Sequence, residues 1–161
     1  MQNAKDSFYM ALRSRLAMTN PQRTVLVRGA IRPGILVEEA EGPFSQLPTD
    51  VFILRWLGLG FETDLDSMLV AEECEIVYQT CGSGSFGGLD RGRFMTAMDR
   101  ELMNMVQPCC TPKLCFTATP PASLKTQVFW DDPIFSPVVT QKDRLSRSAK
   151  IMVYSYQEQG E

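Results

Sequence analysis

The 161-residue chain contains no histidine. That absence removes imidazole general bases, Ser-His and Cys-His dyads and histidine-ligated metals together. No apolar run reaches the roughly 18 residues needed to cross a bilayer. Residues 1–20 have no apolar core and carry Lys5, Asp6, Arg13 and Arg15, so no signal peptide is expected. A basic excess is also missing. The formal net charge is −3 with no Lys/Arg cluster, which excludes a nucleic-acid footprint. Disorder is excluded by the opposite evidence, 44% hydrophobic and 22% charged residues. The length fits a single domain over 1–161 that buries about two-thirds of its unfolded surface.

Five cysteines are present, and their spacing suits neither metal nor disulfide. Cys74 and Cys81 are far apart, and Cys109, Cys110 and Cys115 form no CxxC pair. An odd count favours free thiols in a reducing compartment, with Cys74 as a small core residue beside Ile76 and Tyr78.

Charge is unevenly distributed along the chain. Residues 1–34 hold six basic side chains, Lys5, Arg13, Arg15, Arg23, Arg28 and Arg32, against Asp6 alone. Residues 35–80 hold ten acids against Arg55 alone. Such segregation suits head-to-tail contact between identical subunits, or else solvated edges of unrelated elements.

Hydrophobic periodicity places a helix over 6–18, with Phe8, Leu12 and Leu16 on one stripe and Asn20-Pro21 as its stop. Residues 24–30 and 35–40 read as a hairpin turning around Arg32 to Gly34. A strand is expected at 51–58, and a loop with a short helical turn over 59–70. In 71–80, Cys74, Ile76 and Tyr78 alternate with Glu73, Glu75 and Gln79, the pattern of a half-exposed antiparallel strand. A glycine-rich turn over 82–88 precedes the strongest helical signal, 89–106, where Met95, Met98, Leu102 and Met105 recur at three and four. Strands follow at 113–119 and 148–156, separated by a Pro-punctuated loop over 120–145. These elements predict an α+β fold: a mainly antiparallel sheet, with an N-terminal helix and one long helix packed on it.

Several motifs invite chemistry. Gly82, Gly84 and Gly87 match the dinucleotide pattern GxGxxG between a strand and a helix. The strand at 113–119 ends Thr117-Ala118-Thr119 with no acid for a ribose, and no lysine follows the glycines. A flexible loop with a helix start is the better reading; a nucleotide- or phosphate-binding module is the alternative. Asp64-Leu65-Asp66 opens like a calcium loop, but Met68 and Leu69 stand where a ligand and the turn glycine belong. Ser83, Ser85 and Ser136 have no base to activate them unless a lysine serves. No catalytic residue, metal ligand, cofactor or small-molecule substrate is therefore assigned, and a structural or binding role is expected. Phe129 and Trp130 either form an exposed anchor or plug the core. With Arg28, Arg32, Glu73 and Glu75 they are the candidate interface residues.

The helix DSFYMALRSRL, the strand ECEIVYQT followed by LDRGRFMTAMDRELMNMV, and the closing SRSAKIMVYSYQE resemble in layout the tail-terminator proteins of long-tailed bacteriophages. Residues 31–50 and 120–145 have no counterpart in that layout. The resemblance implies a ring, commonly of six subunits, that caps a tail tube and receives the head. It implies self-association, tail or connector partners, and a place in the bacterial cytoplasm or an assembled particle. It implies no cofactor, nucleic acid, membrane or reaction.

Overall fold

The computed structural model describes residues 1–64 and 67–158. Helix α1 (Gln2–Thr19) is followed by a hairpin of β1 (Thr24–Val27) and β2 (Ala30–Pro33), then β3 (Ile35–Val37) and the single turn α2 (Glu38–Glu41). Two long strands come next, β4 (Phe52–Asp64) and β5 (Ser67–Thr80). A 3₁₀ turn at Phe86–Gly88 leads into α3 (Arg91–Met105). The chain then runs through β6 (Cys110–Cys115), β7 (Ala122–Trp130), β8 (Ile134–Phe135), β9 (Val139–Gln141) and β10 (Arg144–Tyr156).

The main sheet runs β3-β4-β5-β10-β7-β6, with β8 and β9 also paired to β10. Every pairing is antiparallel except β3 on β4. This is the expected α+β class, with α1 and α3 against the sheet and each other. The predicted stripes are the buried ones. Phe8, Leu12 and Leu16 of α1 meet Met95, Met98, Leu102 and Met105 of α3 over Phe52, Leu54, Cys74, Ile76, Tyr78, Ala149, Ile151 and Val153. Burial pushes the Cys74 thiol well above its ordinary value, as befits a small core side chain. A smaller cluster, Leu36, Val51 and Ile53, is covered by Val25, Val27, Phe44 and Leu47.

Four local expectations are corrected. The first hairpin turns at Arg28-Gly29, not at Pro33-Gly34, and pairs β1 with β2. Both turn residues have positive φ, 49° and 80°, the geometry of a tight two-residue hairpin turn. Gly34 instead breaks the chain so that β3 can join β4 in parallel. A Cβ there would lie 2.9 Å from Arg23 Cγ.

Residues 59–64 and 67–70 are strand, not loop and helical turn. β4 and β5 form one long hairpin with a register shift between Trp56 and Gly58. That bulge at Leu57 inserts one residue, so Trp56 and Leu59 share a face despite their odd spacing. It breaks the period-two signal. Leu65 and Asp66 of the calcium-like motif lie outside the described residues.

The 120–145 segment holds β7, β8 and β9, its prolines falling between strands and not inside them. The predicted strand at 113–119 begins earlier and ends at Cys115.

Candidate functional site

The glycine loop is filled from within. The Gly82 amide donates to Thr80 Oγ1 (3.0 Å), the Ser83 amide to Asp90 Oδ2 (2.8 Å), and the Ser85 amide to Ser83 Oγ (3.2 Å). The Gly88 amide donates to the Ser85 carbonyl at 3.2 Å. Asp90 therefore occupies the place where a bound phosphate would meet the loop amides. The Ser83 hydroxyl and amide hold its carboxyl below the ordinary carboxylate range. A Cβ on Gly82 would sit 2.8 Å from Asp90 Oδ1, while Gly84 and Gly87 face open space. Gly82 packs against the Asp90 carboxylate, which the Ser83 amide and hydroxyl hold in place. Among the described residues no group of three His, Cys, Asp or Glu side chains could hold a metal ion.

Part of the segregated charge meets inside one subunit. Lys5 pairs with Glu39 (3.4 Å) and Glu72 (3.6 Å), and Arg32 with Glu41. Arg23 grips Glu101, and Arg15 donates to the carbonyls of Met105 (3.1 Å) and Gln107 (2.8 Å). Glu73 pairs with Lys150 at 2.7 Å, and Glu75 lies in register with Arg55 and Lys150. Of the candidate interface charges, Arg28 alone stands exposed at a turn. Among the described residues its guanidinium reaches only the Ala40 carbonyl, at 3.5 Å.

Phe129 and Trp130 point to opposite faces, as neighbours in a strand must. Trp130 is 3% exposed, donates from Nε1 to the Val106 carbonyl (3.1 Å) and meets Phe8 edge-on at 5.0 Å. It plugs the core. Phe129 is half-buried on the other face, stacked on Tyr154 at 5.4 Å, whose hydroxyl donates to Asp131 (2.7 Å). Burial and the Asp99 hydrogen bond push the Tyr78 hydroxyl up. Asp99 also pairs with Arg147 at 2.8 Å, tying α3 to β5 and β10.

Sequence reasoning missed the exposed apolar arm. Leu57, Leu59 and Phe61 of β4 are 48%, 51% and 64% exposed. Leu57 and Leu59 line a shallow pocket together with Met1, Lys5, Trp56 and Glu72. Phe86 and Leu89, beside the glycine loop, are also exposed.

Glu72, opposite Leu59 on β5, is buried. Burial raises its pKa, only partly opposed by Lys5. A carboxyl raised on folding contributes stability that is fully present below its unfolded value and lost as pH rises through its folded value. Glu72→Gln should therefore be more stable than the unaltered chain at neutral pH, the gap closing as pH falls to about 4. Urea midpoints at the two pH values check this. A variant that loses stability at neutral pH would mean that the Lys5 pair outweighs burial.

No protein-family model matches this sequence, and no curated protein matches it.

Proposed function

We propose that this protein is a non-enzymatic assembly subunit that associates with its own copies into a closed ring, in the manner of a phage-tail terminator. One observation carries the reading: large apolar side chains exposed along strand β4, at Leu57, Leu59 and Phe61. Scattered exposed leucines are ordinary, but a strand that presents three on an open stretch is a surface for another chain. The resemblance of its layout to that of tail terminators supports the ring. The tail tube and the connector are the further partners, met through exposed loop residues such as Phe86 and Leu89. The subunit is then made in the host cytoplasm and retained in the particle. It uses no cofactor, nucleic acid or small-molecule substrate.

Native mass spectrometry and light scattering across a concentration series, at low and high salt, test the reading. A discrete oligomer is expected, weakened by salt and by Arg28→Glu. Exposed ion pairs at a rim contribute about 0–1 kcal/mol each, so salt should shift the equilibrium without abolishing it. Glu75→Arg should have the smaller effect, because Glu75 has cationic neighbours within its own sheet. A monomer at every concentration would sink the proposal.

A further inference from the structure

We propose that the β1–β2 ribbon of one copy docks along the open edge of β4 in the next, Arg28 meeting the acidic end of the arm. This deepens the assembly reading and rests on it.

The argument begins with sheet edges, which carry unpaired N–H and C=O groups and invite another strand. At one end of the main sheet, β6 is blunted. Pro112 has no N–H, the Leu114 amide donates to Ser7 Oγ of α1 at 2.9 Å, and α1 packs along the strand. At the other end, the Ile35 carbonyl of β3 accepts from the Tyr9 hydroxyl at 3.0 Å. β3 pairs with β4 only over Phe52–Leu54. Beyond Leu57, among the described residues, that side of β4 has no strand. The stretch Leu57-Gly-Leu-Gly-Phe-Glu62 contains none of the Pro, Lys or Arg that protect an edge.

The ribbon is the second open element. β1 and β2 pair only with each other. The turn closes on the Val27–Ala30 pair, so the next pair, Leu26 with Ile31, directs its backbone groups outward. These two side chains are 68% and 75% exposed, while Val25 and Val27 hold the other face against Leu36, Val51 and Ile53. Ribbon and arm thus offer matching needs: free backbone groups and unburied apolar side chains.

Charge selects the pairing. Past Phe61 the arm carries the exposed Glu62, whereas the ribbon tip is the exposed Arg28. Arg28 holds a left-handed backbone, φ 49°, that glycine or asparagine adopts more readily. An arginine kept there, with one long contact inside its own subunit, is explained by an acidic partner outside it. Because the two surfaces differ, the contact is head-to-tail and repeats around a ring.

The test uses Phe61→Lys and Ile31→Lys, both at exposed positions, with far-UV circular dichroism and melting as folding controls. Each variant alone should associate more weakly by on the order of tenfold or more. Mixed, they should form a dimer and stop there, since one intact ribbon meets one intact arm. Arg28→Glu and Glu62→Arg should each weaken assembly, and the double variant should restore it. If the unaltered chain assembles and the variants match it, or the mixture stays monomeric, the ribbon–arm contact is wrong while assembly stands. If the unaltered chain never associates, both proposals fall.

Discussion

Trp130→Ala is expected to lower the unfolding free energy by about 3–5 kcal/mol, the range for deleting a large buried aromatic side chain. The indole is enclosed by α1, by the end of α3 and by the inner face of the sheet. Its deletion removes the edge contact with Phe8 and the ring beneath Arg15, whose guanidinium lies 5.2 Å from the indole. It also orphans the Val106 carbonyl that accepts from Nε1. In a chain near this length each kcal/mol moves the melting temperature by about 2–4 °C, so a shift of roughly 10 °C should be seen. Trp130→Phe should retain most of the packing and lose chiefly the hydrogen bond, about 1–2 kcal/mol. Thermal and urea unfolding measure both variants. A Trp130→Ala protein of unaltered stability that no longer assembles would reverse the assignment and make this side chain a contact. Phe129→Ala should cost less, because Phe129 lies on the other, half-exposed face of β7, stacked on Tyr154.

The helices were legible because each has a single buried stripe at helical spacing and a tertiary partner for it. Phe8, Leu12 and Leu16 declare α1, and the methionines of α3 declare its inner face. β5 was legible at 71–80 because Cys74, Ile76 and Tyr78 alternate with Glu73, Glu75 and Gln79, with apolar Val77 the one break in the pattern. The β4–β5 arm was not. A bulge moves the apolar phase from even to odd positions, and Gly58 and Gly60 dilute the rest, so a pattern reader sees a loop. The first hairpin failed for a different reason. Pro33-Gly34 is the stronger turn signal in sequence, yet the chain turns at Arg28-Gly29, where arginine is an uncommon occupant.

The candidate charges show a further limit of linear reading. A basic start and an acidic middle looked complementary between subunits. The fold brings Lys5 to Glu39 and Glu72, and Arg32 to Glu41, within one subunit. Only tertiary contact separates charges already paired from those left exposed. Arg28 and Glu62 are exposed, and the proposed contact uses them.

The second large effect is expected at Glu101. Its side chain, buried on α3, accepts from Asn20 Nδ2 (2.8 Å), from Arg23 Nη2 (3.0 Å) and from Arg23 Nε. Arg23 also donates from Nη1 to the Asp50 carbonyl (2.8 Å) and lies over the Phe52 ring at 5.7 Å. One carboxylate thus joins the end of α1, the entry to β1 and the start of β4 to α3. Glu101→Ala removes the one countercharge that, among the described residues, meets a guanidinium itself largely buried, at 11% side-chain exposure. The expected loss is about 3–5 kcal/mol, the cost of breaking a buried pair by deleting one partner. Replacing both partners together, Arg23→Met with Glu101→Leu, should cost less than the sum of the single changes by about 1–3 kcal/mol, because neither charge is then left buried alone. A urea-denaturation double-mutant cycle measures this, and strictly additive losses would mean that the pair is not coupled. The consequence reaches assembly as well. Arg23 immediately precedes β1, and its carbonyl accepts the Gly34 amide at 2.8 Å, so the pair with Glu101 fixes both ends of the ribbon. Glu101→Ala at a temperature where it remains folded should therefore also weaken self-association, although Glu101 is itself buried.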